Sequence, residues 1–166
     1  MRSKRITILA LSALMALTTV GLTAPAASAD YDKHPNIVIQ AAIRMDNIEA
    51  TSNNYRKANQ AVQLGRDLRH WIREHSTPRF VSRVGCTSEF RSWMFVTNQY
   101  ARQAFRSYRT LATGAQEWPS GWERQAAKVR ARILLDRAEG RQEDAQKDFL
   151  NCVFDSLPNR ARGLFY

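Results

Sequence analysis

Apolar residues recur along most of the chain at spacings of three and four, which is the period of an amphipathic α-helix. The first such series consists of Ile37, Ala41, Met45 and Ile48. The strict alternation typical of β-strands is weak, and Gly and Pro are few. The polar stretch 51–54 either ends this first helix or lies within a longer one.

The next series places apolar and basic residues on opposite sides of a helix. One side carries Ala61, Leu64, Leu68, Trp71 and Ile72, and the other carries Arg66, Arg69 and Arg73. Thr77 and Pro78 then favour a new helix start, and Gly85 favours its end after a few residues.

The clearest helical pattern covers residues 88–113, with Thr87 or Ser88 suited to cap it and Gly114 suited to end it. Its apolar residues are Phe90, Trp93, Met94, Thr97, Tyr100, Ala101, Ala104, Phe105, Tyr108, Leu111 and Ala112. They share one broad side, so the pattern predicts a long helix with an aromatic buried face.

Two further helices are predicted at 121–139 and 141–157, with Gly140 between them. Ser120 and Glu123 have the spacing of a capping box at the start of the first. We expect the inward residues of the first to be Trp122, Ala126, Val129 and Ile133. We expect those of the second to be Ala145, Phe149, Cys152, Val153 and Leu157.

The N-terminus carries the pattern of a cleavable secretory signal peptide. Basic residues at 2–5 precede an apolar run at 6–22, and 27–29 supplies the small-x-small motif for cleavage. A permanent membrane anchor is the alternative interpretation of that run. We therefore expect residues 1–29 to be removed and 30–166 to form a single extracellular domain with no transmembrane segment.

The exported part contains two cysteines, Cys86 and Cys152. An even number in an oxidising compartment favours one disulfide, whereas two buried free thiols are the alternative. The sequence as a whole predicts an all-α fold, a single disulfide-stapled bundle of four to five helices after the signal peptide.

The chain is strongly basic, with a formal net charge of +10. The leader holds three basic residues and no acid, so the exported part carries +7. Most of the basic residues are arginine, which suits phosphate or carboxylate recognition but is also expected of a GC-rich genome. The candidate anion-binding residues are Arg66, Arg69, Arg73, Arg91, Arg102, Arg106 and Arg109.

The last four of these arginines fall within an arc of about 60° on one helix, together with Phe95. Such a basic stripe with an aromatic member is typical of surfaces that contact polyanions. The alternative is an ordinary solvated surface, partly neutralised by Asp144, Asp148 and Asp155.

The residues needed for catalysis do not form a complete set in the sequence. His70, Glu74 and His75 lie close together but lack the spacing of a zinc protease, and there is no nucleophile elbow or phosphate-binding glycine loop. No catalytic residue, metal site or cofactor is therefore predicted.

We expect a secreted binding module for an anionic polymer, membrane or cell-wall surface. One alternative is a protein-partner module, an inhibitor, toxin or effector, using exposed aromatics such as Phe95, Trp118, Phe165 or Tyr166. A second alternative is a small hydrolase with an unfamiliar site around the two histidines at 70 and 75.

Overall fold

The computed structural model describes residues 37–74, 77–113 and 120–156, and every regular element within these ranges is an α-helix. The helices are α1 (Ile37–Ala50), α2 (Asn54–Glu74), α3 (Arg79–Arg83), α4 (Thr87–Thr113) and α5 (Gly121–Asp155). The predicted all-α class is therefore confirmed, with five helices in the described part. The predicted leader, the helix end at Gly114 and the chain from Leu157 onward lie outside the described residues. None of the described helices is both long and apolar enough to cross a bilayer.

Helix α4 is the centre of the bundle, with α2 packed on one side and α5 on the other. Both neighbours run antiparallel to α4. The start of α4 meets the end of α2, where the Trp71 and Phe90 rings are 5.7 Å apart, and it also meets the end of α5 at Phe149. Helix α1 packs against α2, and the short α3 lies against α4.

Local hydrogen bonds explain where α1 ends and α2 begins. The Asn53 side-chain oxygen accepts hydrogen bonds from the backbone N–H groups of Tyr55 and Arg56, as an N-cap does. The hydroxyl of Thr51 turns back to the Asn47 carbonyl at the end of α1. The polar stretch 51–54 therefore separates two helices rather than lying within one.

The turn between α3 and α4 needs a glycine. Gly85 has a φ of 77°, in the left-handed region that a side chain disfavours, and its N–H bonds to the Ser82 carbonyl. The start of α4 differs from the sequence expectation, because the helix begins at Thr87 and the carbonyl that accepts from the Phe90 N–H belongs to Cys86. Ser88 does not cap the helix, since its hydroxyl bonds to Glu89 instead.

The core is an aromatic cluster between α2, α4 and α5. Phe90 lies between Trp71 and Phe149, and Trp93 stacks on Phe149 with ring centroids 5.9 Å apart. Phe90, Trp93 and Phe149 are all almost completely buried. Each such ring pair adds about 0.5–1.5 kcal/mol beyond the burial of its apolar area. Ile72, predicted to be inward, is instead exposed at the edge of α2.

A disulfide joins Cys86 and Cys152 next to this cluster, as predicted, so the alternative of two free thiols is wrong. The bridge links the start of α4 to the end of α5 across a separation of 66 residues. On the chain-entropy model, closing a loop of that length stabilises the fold by about 4 kcal/mol. The Ser156 hydroxyl reinforces the same junction by donating to the Val84 carbonyl.

The prediction of two helices separated at Gly140 is wrong, because α5 is one continuous helix of 35 residues. Ser120 caps it by accepting from the Glu123 N–H, as the sequence indicated. Gly140 lies inside the helix and does not adopt a positive φ. At 1.5 Å per residue, α5 is about 50 Å long.

The predicted inward side of the first half of α5 is also wrong. Trp122, Val129 and Ile133 are 73%, 45% and 45% exposed, and Ala126 is exposed as well. The buried residues of α5 are Ala131, Leu135, Ala138, Gln142, Ala145, Phe149 and Val153. They fall within an arc of about 80°, so one straight side of the continuous helix faces the core.

Candidate anion-binding face

The outward side of α4 is basic because its aromatic side is needed in the core. The buried residues run from Phe90 to Tyr108 along one side of the helix. The exposed positions on the other side include Arg91, Phe95, Arg102, Arg106 and Arg109. Glu89 is the one acidic residue of α4, so the charged residues on this side of the central helix are predominantly basic.

The α2 arginines lie beside the seam between α2 and α4. A Cβ built on Gly65 would be 3.4 Å from the Ala101 Cβ, and the Arg69 Nη1 is 3.5 Å from the same point. This places Arg69 at the seam, and Arg66 and Arg73 follow it within an arc of about 60°. The α1 contact of α2, where Asp67 pairs with Arg44, lies about 130° around the helix from these arginines.

Arginines of the two helices lie on the same side of their seam. On both helices they are rotated in the same sense from the seam residue, by about 40–100° from Gly65 on α2 and by about 80–140° from Ala101 on α4. In antiparallel helices this rotation puts both sets on one side of the pair. The arginine face, defined as the seven predicted anion-binding residues, is therefore one surface rather than two. Six of its side chains are exposed, and Arg69 is partly exposed.

Helix α5 extends this surface with two arginines that the sequence reasoning missed. A groove of about 480 Å³ lies between α4 and α5, with Arg106 on one wall and Arg130 on the other. Arg137 lies two turns beyond Arg130 on nearly the same line of α5, and both are exposed. We call Arg102, Arg106, Arg109, Arg130 and Arg137 the basic end, because they share the half of the bundle away from the disulfide.

The acids that could neutralise the arginine face lie mostly at the other end of α5. Asp144, Asp148 and Asp155 follow Arg137 along the helix, toward the disulfide and the start of α4. They therefore reduce the field near Arg91, whereas near the basic end Glu123 is the acid that lines the groove beside Arg106 and Arg130. Within the described ranges, no residue of the basic end forms an ion pair with a carboxylate.

A second group of titratable side chains, drawn from α1, α2, α4 and α5, surrounds Tyr108. Burial raises the pKa of Tyr108 to about 12, and the carboxylates of Glu139 and Glu49 add to the shift. Burial likewise raises the pKa of Tyr100. The Lys57 ammonium lies 5.0 Å from the centre of the Tyr108 ring and donates to the Glu49 carbonyl. Both phenols are therefore protonated near neutral pH, and neither can act as a general base there.

The structure does not assemble a hydrolase site from the described residues. His70 is exposed on α2, whereas the Glu74 side chain and His75 lie outside what is described. In the described part of the chain, His, Cys, Asp and Glu side chains form no group of three or more that could hold a metal ion.

Geometry thus brings the predicted arginines of α2 and α4 onto one surface and adds Arg130 and Arg137 from α5. The signal for these two residues was present as two arginines seven positions apart, but the predicted inward side of α5 was placed on the wrong face. Comparison of the chain with protein-family models, with curated proteins and with solved structures finds no match.

Proposed function

We propose that this protein is an exported, non-enzymatic binding module that attaches to an anionic surface or polymer through its arginine face. The observation that carries the proposal is the basic end, where five exposed arginines from α4 and α5 lie together without paired carboxylates in the described structure. The leader pattern at 1–29 supports the extracellular location.

The chemistry of the side chains fits this role. A guanidinium is planar, stays charged at every physiological pH and forms paired hydrogen bonds to phosphate, sulfate or carboxylate. Arginines on a rigid helix are already held in position, so little backbone freedom is lost when a polyanion binds. The net charge of the exported part, +7, attracts polyanions from a distance and speeds their association.

Binding to heparin and to a DNA duplex over a range of salt concentrations tests the proposal. We expect the affinity to fall steeply as salt rises, because bound arginines release counterions from the polymer. The double variant Arg106→Gln, Arg109→Gln should reduce the slope of log K against log salt on duplex DNA by about 2.

The matched control is Arg56→Gln with Lys147→Gln, which removes the same charge from exposed positions outside the arginine face. We expect this control to change the slope much less. Equal effects of the two variants would show that net charge alone acts, and absent binding at low salt would refute the proposal.

A protein-partner module is the second candidate, and the exposure of Phe95 favours it. This ring is 60% exposed between the arginines of α4, where it is accessible to a partner. The other aromatics considered for this role, Trp118, Phe165 and Tyr166, lie outside the described residues. Capture of one stoichiometric partner that resists salt and is lost in Phe95→Ala would support this candidate over the first.

A further inference from the structure

The first half of α5 leaves an apolar ridge exposed. Trp122, Ala126, Val129 and Ile133, which we call the α5 ridge, follow the spacing i, i+4, i+7 and i+11. They therefore lie within an arc of about 60°, opposite the side of α5 that faces the core, and extend for about 16 Å. Trp122 is the most exposed large apolar side chain in the described structure, at 73%.

Basic residues line both shoulders of the α5 ridge. Arg130 and Arg137 lie on the shoulder that faces the groove with α4. On the opposite shoulder Arg132 is exposed with Lys128 behind it, and the exposed Asp136 follows Arg132 one turn later. The ridge ends at Asp136, where the apolar spacing stops.

We propose that the anionic surface recognised by this protein is a lipid bilayer, and that the α5 ridge inserts among its headgroups. This inference rests on the proposed function, because the basic end supplies the attraction to the surface. A bilayer surface presents phosphate groups above a hydrocarbon interior. The α5 ridge matches this arrangement, because its apolar residues lie between basic side chains that can contact the phosphates. Tryptophan favours this interfacial depth, and long arginine side chains reach from it up to the headgroups.

A second copy of the chain fits the α5 ridge poorly. In an antiparallel pair, Arg130 and Arg137 would face the same shoulder of the other copy, and in a parallel pair they would face the shoulder that carries Arg132. Like charges in these flanking positions oppose the pairing of helices. The ridge also covers only about two heptads, fewer than a stable helix pair uses.

Continuity with the basic end favours a broad anionic surface. The groove between α4 and α5 is lined by Trp122 and Leu134 as well as by Arg106 and Arg130. Apolar and basic groups therefore continue from the α5 ridge to the arginine face, and among the described residues Glu123 is the one acidic residue that lines this groove. Lipid headgroups can contact all of these groups at once, because they move freely in the plane of the membrane.

Sedimentation with phosphatidylcholine vesicles, with and without phosphatidylglycerol, tests the proposal on the full processed chain. The ridge variant is Trp122→Ala, Val129→Ser and Ile133→Ser. We expect it to bind phosphatidylglycerol vesicles at least about tenfold more weakly, because it lacks three apolar side chains whose transfer from water into the membrane favours binding. Its binding to heparin should not change, since no arginine is removed.

The control variant Ile43→Ser with Ile72→Ser removes two other exposed apolar side chains, on α1 and α2, and should bind vesicles like the wild type. Circular dichroism shows whether each variant remains folded. Heparin binding without vesicle binding would overturn the lipid inference and leave the proposed function standing. Equal vesicle binding by the ridge variant and the wild type would also overturn it. Loss of both heparin and vesicle binding in the wild type would refute the proposed function itself.

Discussion

Replacing Gly140 by alanine tests whether α5 is continuous. Gly140 lies near the middle of a 35-residue helix, and a Cβ built on it meets no atom within 4 Å. Alanine is therefore accommodated without a clash. Its effect on stability depends only on the backbone conformation at this position.

The magnitude follows from that conformation. In a continuous helix, Gly140→Ala raises the free energy of unfolding by about 0.5–1 kcal/mol, because glycine loses more backbone entropy on folding than alanine. If Gly140 instead ended one helix in the left-handed region, the same change would lower the free energy of unfolding by about 1 kcal/mol. The two arrangements predict opposite signs.

Urea denaturation of the processed chain, followed by circular dichroism with the disulfide intact, measures the difference. We expect the midpoint of Gly140→Ala to rise by about 0.3–0.5 M. Gly85→Ala is the control, since its φ of 77° predicts a loss of about 1–2 kcal/mol. A midpoint that falls in Gly140→Ala would refute the continuous helix.

Three other substitutions or conditions give expected outcomes. Tyr100→Phe should raise the free energy of unfolding by about 1 kcal/mol, because the buried Tyr100 hydroxyl has no hydrogen-bond partner in the described structure; a loss of stability in urea would contradict this. Replacing Cys86 and Cys152 by serine should lower the free energy of unfolding by about 4 kcal/mol, measured in urea, and an unchanged midpoint would count against the staple. Burial raises the pKa of Tyr108 to about 12, so as the pH rises this phenol loses its proton in the unfolded chain before it does in the folded one. The free energy of unfolding should therefore fall between pH 10 and 12. Alkaline melting of Tyr108→Phe should show a smaller fall, and an identical fall would contradict this cause.

Helical period alone predicted much of this fold. The buried side of α4 was recognisable because the other sides of this helix carry no comparable series of large apolar residues. Phe90, Trp93 and Tyr108 are buried as expected. The disulfide followed from cysteine number and compartment. These features depend on local spacing or on counting, which the sequence displays directly.

The two errors in α5 have one physical cause. The first half of the helix has two apolar sides, the large residues of the ridge and a smaller set that includes Ala131, Leu135 and Ala138. Because the helix continues through Gly140, the burial of Phe149 and Val153 determines which side faces the core in both halves. A break at Gly140 would have let each half rotate independently, so the predicted break and the predicted ridge burial fail together.

The sequence identified the residues of the arginine face, but it did not show that they form one surface. Spacing placed four arginines on one side of α4, yet only packing shows that the arginines of α2 border the same seam. The contribution of Arg130 and Arg137 depends on the side that α5 turns to the core, which local pattern could not decide. The separation of these bases from Asp144 and Asp148 likewise depends on the continuity of α5.

Chemical-shift mapping with a heparin oligosaccharide tests the central claim most directly, because it locates the bound surface residue by residue. In the 15N-labelled processed chain, we expect the largest shifts at the basic end, around Arg102, Arg106, Arg109, Arg130 and Arg137, and their reversal by added salt. Shifts that are absent at low salt, or that concentrate around Arg56 and Lys147 instead, would contradict the account.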